Sequence, residues 1–236
     1  MRFYEVGGCV RDQLMGLVSK DVDFAVEAES FEVMEQGLLE RGFKVFLRTP
    51  EFLTIRAQVP SSEKELLART KVADFVLCRK DSASGDGRRP DFVEAGTILD
   101  DLARRDFTMN AIAVDVLTGE VLDPHGGRED IECGVLKFVG EPRRRIEEDG
   151  LRVLRGLRFM VTKGLTPDHK TRSAMDSELA ARMLFKVSIE RVREELEKMF
   201  AHDSVRSMSL LDGGYPALSA SIFRDGLRLM PTLKAV

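Results

Sequence analysis

Cysteine is scarce in this sequence: Cys9, Cys78 and Cys133 form an odd, widely spaced set that suits neither a disulfide framework nor a zinc site. Reduced, packed thiols are expected. No apolar run approaches the roughly 18 residues needed to cross a bilayer, and Met1 to Val10 lacks the basic and apolar regions of a signal peptide. The expectation is a cytoplasmic protein with no membrane partner. His125, His169 and His202 stand isolated, without nucleophile or metal-ligand spacing, which favours surface or packing roles. Internal repeats and extended low-complexity segments are absent as well.

What remains is a chain of 236 residues, 43% hydrophobic, long enough for one large domain or two smaller ones. Its formal charge of −4 argues against bulk attraction to nucleic acid. That sum hides an asymmetry of about −9 over residues 1–136 and about +5 over 137–236. The basic half can track a phosphate backbone, or it can simply carry arginines on solvated helix faces.

Periodicity gives an α/β beginning. Arg2 to Val6 reads as a strand stopped by Gly7-Gly8 and followed by a helical stretch ending near Gly16. Asp21 to Val26 reads as a second strand and Phe31 to Arg41 as a helix closed by Gly42. Phe43 to Leu47, Phe52 to Val59 and Ala73 to Cys78 read as further strands. Arg79 to Pro90 is polar and glycine-rich, a loop of the length usually kept for function. Ile98 to Asn110 is expected to be helical, and Ile112 to Val116 with Val121 to Asp123 to form a hairpin about Thr118-Gly119. After Pro142 strand alternation disappears. Arg143 to Lys163, Lys170 to Ala181 and Ile189 to His202 read as amphipathic helices, so a helical second domain begins near residue 138.

Side chains two apart on a strand share a face, so Asp21 and Asp23 present two carboxylates side by side while Val22 and Phe24 turn to the core. Such a pair repels itself unless a cation intervenes, and hard oxygen donors at this spacing suit Mg²⁺ with phosphate and water completing its shell. Upstream, Gly7-Gly8 stands at a helix start where bare backbone amides can approach a phosphate, and Arg11 adds a bidentate donor. An Asp-x-Asp or a glycine pair alone is commonplace. The combination Gly7-Gly8-Cys9-Val10-Arg11-Asp12, Gly16 and Asp21-Val22-Asp23 is far more specific. It resembles the opening motif of the class II branch of the tRNA nucleotidyltransferase (CCA-adding enzyme) and bacterial poly(A) polymerase family.

Two arginine-rich stretches extend the resemblance. Arg104-Arg105-Asp106-Phe107-Thr108-Met109-Asn110 is similar to the family's ribose- and phosphate-contacting motif. Asp106 and Asn110 offer the acceptor and donor that a 2′-hydroxyl needs, and Arg105 can reach phosphate oxygens; a helix end held by its own salt bridges is the plainer alternative. Glu148-Asp149-Gly150-Leu151-Arg152 and the following Arg155 and Arg158 resemble its nucleotide-recognition motif. As one helix, Asp149, Arg152 and Arg155 would share a face opposite Leu151, Leu154 and Leu157, with Arg158 misplaced among the leucines unless it meets phosphate. A carboxylate beside a guanidinium copies a Watson–Crick edge. Asp149 accepting from an exocyclic amine while Arg152 donates to the neighbouring ring nitrogen fits cytosine and adenine, whereas guanine and uracil present a carbonyl and an N–H in those places. Asp74 is a candidate third carboxylate that a neighbouring base explains equally well. Ser188 to Leu196 looks like the family's last motif, a capped helix bracing the nucleotide-reading one.

The resemblance runs from residue 2 to about residue 200 and implies an α+β architecture: a polymerase-β-like nucleotidyltransferase head with a mixed sheet over 1–137, then an all-α neck over 138–236. It implies attack of a tRNA 3′-hydroxyl on the α-phosphate of CTP or ATP under a two-metal Mg²⁺ site at Asp21 and Asp23. Without the family's body and tail, tRNA should be held poorly unless the chain forms a homodimer or recruits another protein. Poly(A) synthesis, an idle RNA-binding module, and transfer to an acceptor other than tRNA are the competing expectations.

Overall fold

The computed structural model describes residues 1–19, 22–81 and 93–223. Asp21, most of the polar loop from Arg79 to Pro90, and the last residues of the chain therefore lie outside the described residues. The chain divides into two compact units, Met1–Cys133 with Lys137–Gly140, and Gly134–Leu136 with the residues from Glu141 onward. Among the described residues, no helix is long and apolar enough to cross a membrane.

The first unit is built on strands β1 (Arg2–Val6), β2 (Asp23–Glu27), β3 (Lys44–Thr49), β4 (Thr54–Gln58) and β5 (Val72–Leu77), the short pair β6 (Arg79–Asp81) and β7 (Val93–Ala95), and β8 (Ala113–Asp115) with β9 (Val121–Leu122). Its helices are α1 (Gly8–Leu14), α2 (Phe31–Glu40), α3 (Lys64–Leu67), α4 (Ile98–Ala103) and α5 (Gly127–Glu132). Seven strands form one mixed sheet in the order β3-β4-β5-β2-β1-β8-β9, parallel between β2 and β5 and antiparallel elsewhere. The fold is thus α+β with a mixed sheet.

Burial tells how the sheet is covered. One face packs on α2: Phe3, Phe24, Phe43, Ile55 and Phe75 meet Phe31, Met34 and Leu38, with the Phe24 and Phe75 rings stacked at 5.4 Å and Phe43 edge-on to Phe75 at 5.2 Å. On the other face, Tyr4, Val6 and Ala25 meet Ile98 and Leu102 of α4. Along β4 the pattern alternates strictly, Ile55 and Ala57 buried against Arg56 and Gln58 exposed. That is the signature of a strand covered on one side only.

The expected helix over Ile98 to Asn110 is shorter than its pattern. A Thr97–Asp100 capping box starts α4, which ends at Ala103, and a tight turn at Thr108–Asn110 follows. Asp106 supports this turn: its carboxylate bonds the Phe107 backbone N–H at 2.8 Å, a local alternative to helical bonding, and the Asn110 side-chain amide at 2.9 Å.

In the second unit a two-residue parallel pairing of β10 (Val135–Leu136) with β11 (Thr166–Pro167) accompanies helices α6 (Pro142–Glu148), α7 (Leu151–Thr162), α8 (His169–Met175), α9 (Glu178–Phe185), α10 (Ile189–His202), α11 (Ser204–Ser209) and α12 (Pro216–Ile222). The expected single helix over Arg143 to Lys163 is two. Asp149 is extended at φ −155° and closes α6, and α7 starts after Gly150. A methyl group on Gly150 would lie 2.3 Å from the Met183 carbonyl carbon and oxygen, so α9 passes where only glycine fits. The Lys170 to Ala181 stretch is likewise divided, by the Ser177 cap of α9.

Candidate functional site

Asp23 opens β2 and is exposed. Its register partner on the parallel neighbour β5 is Asp74, half-buried on the face away from Ala73, Phe75 and Leu77. Register partners share a sheet face, so the two carboxylates stand side by side. The same transverse row continues through Arg56 and Leu47 on one side and Val6 on the other. Asp23 and Asp74 line a cavity of about 280 Å³ with Val6, Ala25, Thr54, Val76, Asp101, Arg104 and Arg105. Arg56 approaches Asp74 at 3.8 Å, an ion pair too long for a hydrogen bond.

The cavity that the carboxylates line also carries two arginines. Asp101 is buried and binds two guanidiniums: Arg104 donates to one oxygen through Nε at 3.0 Å and Nη2 at 2.6 Å, and Arg105 to the other at 3.2 and 2.9 Å. Burial pushes the Asp101 carboxyl up, but Arg105 and Arg104 together outweigh it and hold it below its ordinary value. The two arginines are thereby fixed in place before any ligand arrives. Asp101 carries no motif signal of its own; its spacing of three and four from the arginines is the trace it leaves.

The expected phosphate and ribose groups form one chain of contacts. Arg105 Nη1 donates to the Asn110 carbonyl at 3.1 Å, the Asn110 side-chain oxygen accepts from Arg11 Nη1 at 2.7 Å, and Arg11 is paired with Asp12 at 2.8 Å. Arg11, Asp106 and Asn110 are buried. A methyl group on Gly7, which sits at φ +74°, would lie 3.0 Å from Arg105 Nη1. The closest neighbour of the Gly7-Gly8 turn on that side is thus the Arg105 guanidinium. The separate sequence motifs at residues 7–12 and 104–110 are one cluster in space. Asp106 and Asn110, both expected at the ribose, are joined by a hydrogen bond from the Asn110 side-chain amide to the Asp106 carboxylate at 2.9 Å.

A divalent cation suits the first unit. Two carboxylates share one face beside a cavity lined by both charged and apolar side chains, and paired carboxylate oxygens are donors of the kind a hard cation takes. Asp21, outside the described residues, is two positions before Asp23 in the sequence.

In the second unit, Arg152, Arg155 and Arg158 form a partly buried stripe along α7, whose other positions are largely buried. Asp149 is not on that helical face. From the α6–α7 link it accepts the Leu151 N–H at 3.0 Å on one oxygen and Arg191 Nη2 at 2.8 Å on the other. Arg152 Nη1 is held by Glu148 at 2.8 Å and the Arg145 carbonyl at 3.2 Å. The charge of Arg158 is met by the buried carboxylate of Glu195, and its guanidinium lies over the Phe159 ring at 4.1 Å. Its place near the leucines therefore has a structural partner as well as the phosphate expected from sequence. Glu195 and Arg191 both come from α10, within the stretch expected to brace α7.

Comparison with known proteins agrees with this arrangement. Over 233 residues the chain is 34% identical to a CCA-adding enzyme of Lactiplantibacillus plantarum, covering 98% of this chain and 50% of that one. It is also 34% identical over 212 residues to a CCA-adding enzyme of Geobacillus stearothermophilus, covering 88% and 48%. The fold is similar to the crystal structure of the Bacillus stearothermophilus CCA-adding enzyme in complex with CTP, with TM-score 0.76, 31% identity, and coverage of 93% of this chain and 49% of that one. A tRNA nucleotidyltransferase complexed with a primer tRNA and an incoming ATP analog matches with TM-score 0.73 and 27% identity, covering 94% and 59%. The chain spans about half the length of the curated relatives it matches. Residues 3–137, which hold the paired carboxylates and the Asp101-anchored arginines, match the Poly A polymerase head domain, and the chain belongs to that family.

Proposed function

We propose that this chain is a nucleotidyltransferase that adds C and A nucleotides from CTP and ATP to the 3′ end of tRNA without a template, releasing pyrophosphate. The observation that carries the reading is the Asp23–Asp74 register pair sharing a cavity with two arginines already fixed by Asp101. The relatives support the substrates, being CCA-adding enzymes, one seen with CTP and another enzyme with a primer tRNA and an ATP analog.

Asp23 and Asp74, with Asp21 before them in the sequence, would hold Mg²⁺; the register pairing of Asp74 with Asp23 supports including Asp74. A divalent cation held by these carboxylates would supply charge neutralisation at the triphosphate and activation of the attacking hydroxyl. Arg104 and Arg105 bind the triphosphate; fixed guanidiniums cost little reorganisation when charge develops. Arg11, Asp106 and Asn110, linked by hydrogen bonds, position Arg105; Gly7 leaves room for Arg105 and Gly8 for Arg11. A ribose contact by Asp106 or Asn110 requires these internal bonds to open. In the second unit, Asp149 and Arg152 read the base edge, Arg155 offers a further cation, and Arg158 positions α7 through Glu195. The reaction forms a bond from the acceptor 3′-oxygen to the α-phosphorus as the bond to pyrophosphate breaks.

The test is incubation of each labelled nucleoside triphosphate with tRNA lacking its terminal CCA and with a short acceptor mimic, for wild type, Asp23→Ala and Asp74→Ala. The expected result is a three-nucleotide extension from CTP and ATP that the variants lose. A ladder of A residues would move the assignment to poly(A) polymerase, and no incorporation on either acceptor would refute a transferase.

A further inference from the structure

Part of one sheet face is open, and that part adjoins the carboxylates. On β4, Thr54, Arg56 and Gln58 face away from the α2-covered core, and register carries this side across to Leu47 and Lys44 of β3 and to Asp74 of β5. Leu47 is 54% exposed and the Arg56 side chain 55%. Phe52, at the end of the same β3–β4 hairpin, is 63% exposed. Arg48 belongs to the opposite face: it is the register partner of buried Ile55 and pairs with Glu35 of α2.

Exposed apolar side chains interleaved with cations mark a contact surface rather than an idle one. Its partner is constrained in three ways. The surface ends at Asp74, so what lies on it leads to the carboxylates. Its cations, Arg56 and Lys44, call for an anion. Leu47 and Phe52 supply area against which flat bases pack. We infer that this half-sheet is the platform for the unpaired 3′-terminal strand of the RNA acceptor, with Arg56 taking a backbone phosphate and Phe52 a base. The inference rests on the proposed transferase reading and adds the acceptor's binding residues to it. Turning Arg56 toward a phosphate is cheap, because its 3.8 Å pair with Asp74 is exposed and holds it weakly.

The test is anisotropy of a short fluorescein-labelled single-stranded RNA titrated with the full chain, for wild type, Arg56→Ala, Arg56→Lys, Phe52→Ala and Arg48→Ala, each checked for folding. Arg56→Ala and Phe52→Ala should each bind about tenfold more weakly, the loss expected for one charged phosphate contact or one stacked base. Arg56→Lys should recover part of the loss. For Arg56→Ala the slope of log affinity against log salt should shrink by about 0.7, one phosphate's share on a single strand. Arg48→Ala should bind as wild type. Unchanged affinity in Arg56→Ala and Phe52→Ala, an equal loss in Arg48→Ala, or no binding by wild type overturns the platform. Because binding is read without chemistry, wild type that binds through Arg56 yet incorporates no nucleotide defeats only the transferase reading. Wild type that incorporates nucleotide while Arg56→Ala binds unchanged defeats only the platform.

Discussion

Asp23 and Asp74 are register partners on the parallel strands β2 and β5, so two carboxylates distant in sequence leave one sheet face at neighbouring points. If both hold the catalytic cation, losing either has the same consequence. Asp23→Ala and Asp74→Ala should each lower nucleotide incorporation about a thousandfold, the scale of a lost electrostatic stabiliser, with far-ultraviolet circular dichroism unchanged. Incorporation by Asp74→Ala near the wild-type rate would remove Asp74 from the site.

Asp101 gives a pH dependence of definite sign. Its folded-state pKa is lowered below the ordinary 3.8 because Arg105 and Arg104 outweigh burial. A depressed carboxylate contributes stability that is fully present above the unfolded-state value and lost as pH falls through the folded-state value. Wild type should therefore lose urea stability more steeply than Asp101→Asn below about pH 4, while Asp101→Asn is the less stable of the two near pH 7. Parallel profiles would show that the arginine pair does not depend on this charge.

Glu195 and Arg158 form a pair with both side chains largely removed from water, 5% and 15% exposed. Glu195→Gln should destabilise the chain by about 3 kcal/mol in denaturant titration, since it leaves a guanidinium without its counter-charge. The double replacement Arg158→Leu with Glu195→Leu should recover most of that loss. A double variant as unstable as the single one would mean that the pair contributes through something other than charge.

Gly150 is where α9 touches the α6–α7 link. Gly150→Ala places a methyl group 2.3 Å from the Met183 backbone, so something must move. The expected cost is about 2–3 kcal/mol, as for overpacking elsewhere, measured by equilibrium unfolding. The displaced link also carries Asp149, and nucleotide KM should rise with it.

Arg191 separates a structural role from a functional one. Its pair with Asp149 is half-exposed on the Arg191 side, 51%, and should contribute less than about 1 kcal/mol to stability. Orientation of Asp149 is a different matter. Arg191→Ala should leave unfolding nearly unchanged while raising KM for CTP and ATP several-fold. Asp149→Asn should cut their incorporation about a hundredfold, because an amide cannot accept at both positions. Unaltered base preference in Asp149→Asn would refute the base-reading role.

Local physics made much of this legible from sequence. Alternation and glycine punctuation placed Arg2–Val6, and the 3.6-residue period placed the α2 and α10 helices within a residue or two, because each signal is confined to neighbours along the chain. The order of glycine turn, carboxylates and arginines pointed to the Poly A polymerase head domain family before any coordinates. Three things could not be read that way. Asp149, extended beside the close approach of α9 to Gly150, broke a helix that periodicity drew as continuous. Asp106 supports the turn after α4 by bonding Phe107 and Asn110, where helical spacing alone favoured going on.

The third is which partner each candidate side chain takes. Sequence determined which side chains were available, Asp23, Arg104 and Arg105 in the first unit and Asp149 and Arg152 in the second. Only the tertiary structure decided their partners, since strand register and helix packing are set by long-range burial that no window of sequence contains. It placed Asp74 beside Asp23, Asp101 beneath two arginines, and Glu195 against Arg158, turning a charge with no evident place in the helix into one half of a buried pair.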